Sequence, residues 1–262
     1  MSDLVDALGN ALPDLAILAV CALGFGLFGE AVAWLSNRLW FRRWGGRTPF
    51  DDKLGDTAHA SLLALSAFIL ALMVTNGFAS LARTEDNVRQ EGVAIHALGR
   101  DFDALGPPSA AAKAALAAYA ADVAGDEWPR LATAPNTLSP LVGRDLDTLW
   151  TRLRALQKSL NPGDPSRADL ALYAQRIESM RQMRLSSSTT NVTGEFWLIL
   201  LIFVAVASFL AGRERPKRVG VQVHMIHMAS IGLAVGLVII LDNPFRGQTS
   251  IDPAIIATAL GP

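Results

Sequence analysis

The sequence predicts an all-α, polytopic membrane protein: four transmembrane helices in two hairpins, with an extramembrane helical bundle inserted between helices two and three. Three observations lead there. Hydrophobic residues make up 51% of the 262 positions and charged residues only 18%. The apolar residues gather in long runs toward both ends while the charges crowd the middle, the block pattern of a chain whose solvent is partly a bilayer. Four of the runs approach the roughly 20 apolar residues that a helix needs to cross a hydrocarbon core.

The four runs are residues 15–35, 58–81, 196–211 and 224–241, the third being the shortest. They divide the chain into a first hairpin (1–81), a helical domain (82–191) and a second hairpin followed by a short apolar helix (192–262). The first basic residue is Arg38, so no positive stretch precedes the first run and no cleavable signal is expected. Orientation follows from the short loops. Arg38, Arg42, Arg43, Arg47 and Lys53 follow the first run, and Arg213, Arg215, Lys217 and Arg218 separate the last two, whereas Asp3, Asp6 and Asp14 are the only charges before the first run. Positive residues stay inside. Both basic loops are therefore expected in the cytoplasm, and both termini and the middle domain outside it, in the inner membrane of a bacterium. Trp34, Trp40 and Trp44 at one end and Trp197 at the other suit interfacial anchoring.

The middle domain carries one-sided apolar stripes at spacings of three and four: Val88, Ile95, Leu98, Phe102 and Leu105; Leu146, Leu149, Leu153, Leu156 and Leu160; Leu170, Tyr173, Ile177 and Met180. An Ala-rich stretch, 109–124, adds a weaker helix with Leu116, Tyr119 and Val123 inward. Breaks are expected at Gly106-Pro107-Pro108, at Ala134-Pro135-Asn136 and across 161–165. Four helices so patterned pack most economically as a bundle. After the fourth run, Asp242-Asn243-Pro244 must turn the chain. Asp252 and Pro253 then open a helix over 254–260, too short to span, which would lie on the outer interface or on the bundle.

Composition also narrows function. A net charge of −1 gives no reason to expect nucleic acid. The only cysteine, Cys21, allows neither an intrachain disulfide nor a cysteine metal site. Gly24-Phe-Gly26-Leu-Phe-Gly29 has a dinucleotide-fingerprint spelling, but no strand precedes it; its glycines are expected to admit a neighbouring span.

Four clusters are candidates for function. Glu30, an acid within the first span, falls at the level of His59, His224 and His227, the last two sharing a helical face; together they could sense protons or hold a metal at the inner mouth. Asp14, Glu195 and Asp242 fall near the outer ends of their helices, where a ring of acids around a symmetry axis would gather cations. In the second run Ser61, Leu65, Phe68, Leu72, Thr75 and Asn76 share one face, polar at both ends and apolar between, as a pore with a hydrophobic constriction would require. Ser and Thr also bond harmlessly to their own helix.

The fourth cluster carries a resemblance. Arg89, Glu91, Ala94 and Ile95, the stretch 181–185, and Leu241-Asp242-Asn243-Pro244-Phe245-Arg246-Gly247 with its apolar tail resemble, over nearly the whole chain, the bestrophin-like family of bacterial and plant membrane proteins. The resemblance implies Glu91, Asp242, Pro244, Phe245 and Gly247 as motif residues and a kinship with anion channels. No nucleophile–base pair, metal-ligand spacing or phosphate loop points to an enzyme, and no cofactor is expected. The reading is a homo-oligomeric ion channel, its partners membrane lipid, ions and other copies of itself. The alternative is a sensor or assembly protein that binds through its middle domain.

Overall fold

In a computed structural model the described residues are 12–42, 52–134, 137–188, 192–213 and 218–261. Asp3, Asp6, Arg43, Trp44, Arg47, Pro135, Asn136, Arg215 and Lys217 lie outside them. Every regular element among the described residues is helical: α1 Asp14–Ser36, α2 Asp52–Leu105, α3 Ala110–Asp122, α4 Trp128–Thr133, α5 Pro140–Ser159, α6 Ser166–Ser186, α7 Gly194–Ala211, α8 Arg218–Asp242 and α9 Ala254–Ala257. Four segments are long and apolar enough to cross a membrane: Asp14–Phe41, Lys53–Leu105, Gly194–Ala211 and Gly220–Asp242. All four are longer than the apolar runs, the first two by the most. The first continues through a π-helical turn, Asn37–Phe41, in which the Arg42 amide donates to the Asn37 carbonyl five residues back. The second runs 54 residues without interruption, because the polar stretch after residue 81 contains no proline to end it.

The chain divides into two compact units. The first comprises Met1–Ala79 and Thr190–Asp242. Here α1 packs along α8, and glycine permits the approach: a Cβ on Gly232 would strike the Cys21 carbonyl, and one on Gly236 would lie 3.1 Å from Leu18 Cα. Of the fingerprint glycines, Gly29 is tight against Met228 and His224, Gly26 only touches the Met225 carbonyl, and Gly24 has nothing within 4 Å. These pairs fix direction. Leu18 meets Gly236 while Gly29 meets Met228, so α1 and α8 are antiparallel; Ser36 Oγ donates to the Phe209 carbonyl and Asn37 Nδ2 to the Gly212 carbonyl, so the ends of α1 and α7 lie together. Trp197 is not an exposed anchor. It shares a helical face with Leu200, Val204 and Ala207, and all four are buried inside the unit, whereas Trp34 and Trp40 are exposed.

The second unit comprises Ser80–Thr189 and Asn243–Pro262. Its core is made by the stripes read from the sequence: Val88, Ile95, Leu98 and Phe102; Leu116, Tyr119 and Val123; Leu146, Leu149, Leu153 and Leu156; Leu170 and Ile177 are all buried, while Leu105, Leu160 and Tyr173 pack at its margin. Gly106, at φ 68°, supplies the left-handed turn after α2. One short element was not foreseen. After α3 the helix widens into a π-helical turn, Val123–Glu127, and then re-forms as α4 with Pro129 in its first turn.

The C-terminal segment belongs to this core, through Phe245, Ile251 and Ile256. Gly92 makes room for it, since a Cβ there would come within 2.9 Å of the Ile255 carbonyl. The Ile251 amide donates to the Pro244 carbonyl at 3.0 Å, and the Ala254 amide to Asp252 Oδ1 at 2.8 Å. The helix so opened is one turn, Ala254–Ala257, rather than the 254–260 expected; turn hydrogen bonds from Thr258 onward close the end instead.

Candidate functional site

The six residues of the polar-ended face of α2 are all exposed: Ser61, Leu65, Phe68, Leu72, Thr75 and Asn76, with Phe68 61% accessible. The opposite face is committed. Ser66, Leu70, Met73 and Gly77 are buried, Ser66 Oγ donates to the Leu62 carbonyl, and a Cβ on Gly77 would touch Leu241. Both faces are apolar in the middle of the run, so Leu65, Phe68 and Leu72 are left exposed on the outward one. Thr75 Oγ1 donates to the Ala71 carbonyl at 2.8 Å, so its hydroxyl proton is spent on its own helix. Asn76 borders a hollow of about 420 Å³ with Leu72, Thr75 and Phe196.

At the other end of the spans, His59, His224 and His227 border one cavity of about 630 Å³, together with Asp56 and Arg213. His59 Nδ1 donates to the Ala207 carbonyl at 2.9 Å, and its ring centroid lies 6.2 Å from that of His224. Glu30 is half-buried and follows Gly29, against whose backbone His224 rests. His227 is exposed and His224 only 5% accessible. No group of three metal-ligating side chains converges among the described residues, so the arrangement does not have the shape of a metal site. Arg213, which had counted only as a loop charge, is the central cation here. Its guanidinium lies directly on Gly55, where any side chain would collide with it, and Nη2 donates to Asp56 Oδ1 at 2.6 Å.

The three acids occupy helix ends. Asp14 is the first residue of α1, Glu195 lies in the first turn of α7, and Asp242 is the last residue of α8. Glu195 is exposed. Asp242 is not a solvated acid, being 8% accessible.

The most elaborate polar constellation lies in the second unit and was only half visible from the sequence. Glu91 on α2 and Arg184 on α6 are both fully buried and paired: Nε donates to Oε2 at 3.0 Å and Nη2 to Oε1 at 3.2 Å. Arg184 Nη1 is also 2.8 Å from Glu127 Oε1, and Glu127 accepts from Arg181 Nη2 at 2.5 Å. Tyr119 completes the set, its hydroxyl donating to Glu91 Oε1 at 2.6 Å. Two carboxylates and two guanidiniums cancel in charge, which is what allows them to be buried together. Burial disfavours the charge on Arg184, but Glu91, Tyr119 and Glu127 outweigh it and hold the guanidinium protonated more firmly than usual; burial first, then the Glu91 charge, pushes the Tyr119 hydroxyl well above its ordinary range. Arg184 further stacks 5.6 Å above Trp128, which also meets Phe245 edge to face with ring centroids 5.1 Å apart. Two of the motif stretches, at Glu91 and at 181–185, therefore meet in an ion pair, and the third reaches it through Phe245 and Trp128. Glu127 and Trp128 had no signal in sequence beyond an ordinary Gly-Asp-Glu loop.

A family model described as the Bestrophin-like domain matches residues 23–256, nearly the whole chain. No curated protein and no solved structure matches it. The matched stretch contains the greater part of the first apolar helix, the other three whole and every residue of the buried ionic cluster, and the chain belongs to the bestrophin-like family.

Proposed function

We propose that the chain is one subunit of a homo-oligomeric ion channel whose pore is lined by α2. Family membership points to a channel-type membrane protein. The observation that carries the finer reading is the split character of α2: one face is buried within the protomer, and the other, with Ser61 at one end, Thr75 and Asn76 at the other and Phe68 and Leu72 between, is left open. A face meant for lipid has no use for an amide at its edge, since unpaired polar groups are costly in hydrocarbon. Around a symmetry axis the same face supplies wet mouths and a dewetting constriction.

The topology assigned to this channel has two pairs of spans and the second unit on one side of the membrane, outside the cytoplasm. Parity supports it. Residues on either side of α7 and α8 share one core, Phe245 and Ile256 with Val88 and Leu153, so the intervening chain must cross an even number of times.

The test is ion flux through liposomes holding purified protein. Wild-type protein should conduct or be closed but openable, and Phe68→Ala or Leu72→Ala should raise leak. Well-folded, oligomeric protein that passes no ion in any of the three forms would overturn the channel reading and favour a sensor or assembly role for the second unit.

A further inference from the structure

We propose that the cavity bordered by Arg213 and the three histidines is a binding site for a phosphate group, of the kind borne by phospholipid headgroups. Two side chains facing it are unfulfilled. Arg213 is 6% accessible, and although Nη2 bonds Asp56, its buried Nε and Nη1 have no hydrogen-bond partner. His224 is 5% accessible, and neither ring nitrogen makes a hydrogen bond of good geometry. Buried donors without acceptors are costly and uncommon in native proteins. Nε–H leaves the guanidinium on the Nη2 side and Nη1 lies on the other, so the two free groups offer separate charge-assisted donors to phosphate oxygens rather than one paired edge.

The rest of the lining fits the same guest. His59 and His227 add polar groups beside the guanidinium, and Asp56 engages only its Nη2. Toward the spans the wall turns apolar, with Leu63, Leu210 and Val223, Val223 being 48% accessible. Arg213 lies two residues beyond the last residue of the third span and His224 within the first turns of the fourth, which puts the guanidinium at headgroup depth with apolar surface below it. Basic pockets between spans at that depth are where anionic headgroups dock. The volume, about 630 Å³, suits a headgroup and the start of its chains. Gly55 explains how the guanidinium is held, because Nη1 occupies the place where a side chain on that residue would begin. None of this depends on whether the protein conducts.

The chemistry is shared by a lipid phosphate and by free phosphate, and the experiment separates them. Purified full-length protein in neutral detergent would be titrated, in separate arms, with phosphatidylglycerol, with phosphatidylcholine and with inorganic phosphate. Native mass spectrometry would count retained adducts and a thermal scan would follow Tm. Wild-type protein should retain a phospholipid and gain stability, with retention falling about tenfold in Arg213→Gln, as expected for loss of one charge-assisted hydrogen bond. Saturable binding of inorganic phosphate alone, lost in Arg213→Gln, would assign the site to a free anion. His227→Ala changes an exposed residue, so it should fold and show weaker retention even if Arg213→Gln does not fold. Equal retention of every ligand by wild type and His227→Ala, or no binding of any of them, would overturn the proposal.

Discussion

Replacing Arg184 with methionine would strand Glu91 without a cation in a core that no water reaches, both residues being fully buried, while Glu127 would keep Arg181. Removing one partner of such a pair costs about 3–5 kcal/mol, whereas replacing the whole set by apolar residues of similar size is far milder. Arg184→Met should therefore lower the free energy of unfolding of the second unit by that amount. Adding Glu91→Met, which leaves the Glu127–Arg181 pair intact, should recover much of it, as a denaturant series on wild type, single and double variant would show; equal loss in both variants would mean that the cluster acts through packing alone. A second residue-scale prediction concerns Asp145 on α5. Burial first, and then the Asp122 carboxylate at the end of α3, holds its carboxyl above the ordinary value of 3.8. A carboxyl whose folded pKa is raised contributes stability while protonated and loses it as pH rises through the folded value. Asp145→Asn should thus be more thermostable than wild type at pH 7, with the difference shrinking as pH falls toward 4.

Helices carry the next scale, and here most of the structure was legible. The runs at 15–35, 58–81, 196–211 and 224–241 all became helices, because twenty apolar residues in sequence have few other fates. The stripes at Val88–Phe102 and Leu146–Leu156 faced inward because three–four spacing leaves them one side to bury. What was not legible depended on contacts distant in sequence. Glu127 beside Asp126 reads as two solvated acids; only the π-helical turn rotates Glu127 inward while Asp126 stays out, bonded to Arg130. Arg213 likewise reads as one more loop charge until Gly55, far earlier in the chain, is laid beneath it. At this scale two outcomes are expected. Gly232→Val should push α8 off the backbone of α1 and lower Tm in detergent, overpacking of this kind costing about 1–3 kcal/mol. Phe68→Ala on the open face of α2 should leave Tm nearly unchanged while raising liposome leak; a large drop in Tm instead would mean that Phe68 is packed against something other than water or lipid.

For the whole molecule the decisive measurement is sidedness. A cysteine at Lys158, exposed on α5, should react with an impermeant thiol reagent in intact spheroplasts, and one at Arg47 should react only after lysis. The reverse result would invert the topology while leaving the parity of the spans intact. The second unit is also discontinuous, its core closed by residues that follow α8. That has a consequence for biogenesis. A ribosome finishes α6, and with it Arg181 and Arg184, before it has begun the two spans that precede Phe245. At about 5–20 residues per second the half-made core waits several seconds with Trp128 lacking its cover. During that interval the nascent unit offers an apolar seat to chaperones and proteases. Chains terminated before residue 243 never leave that state, so quality control should read the segment after α8 as proof that the unit has closed.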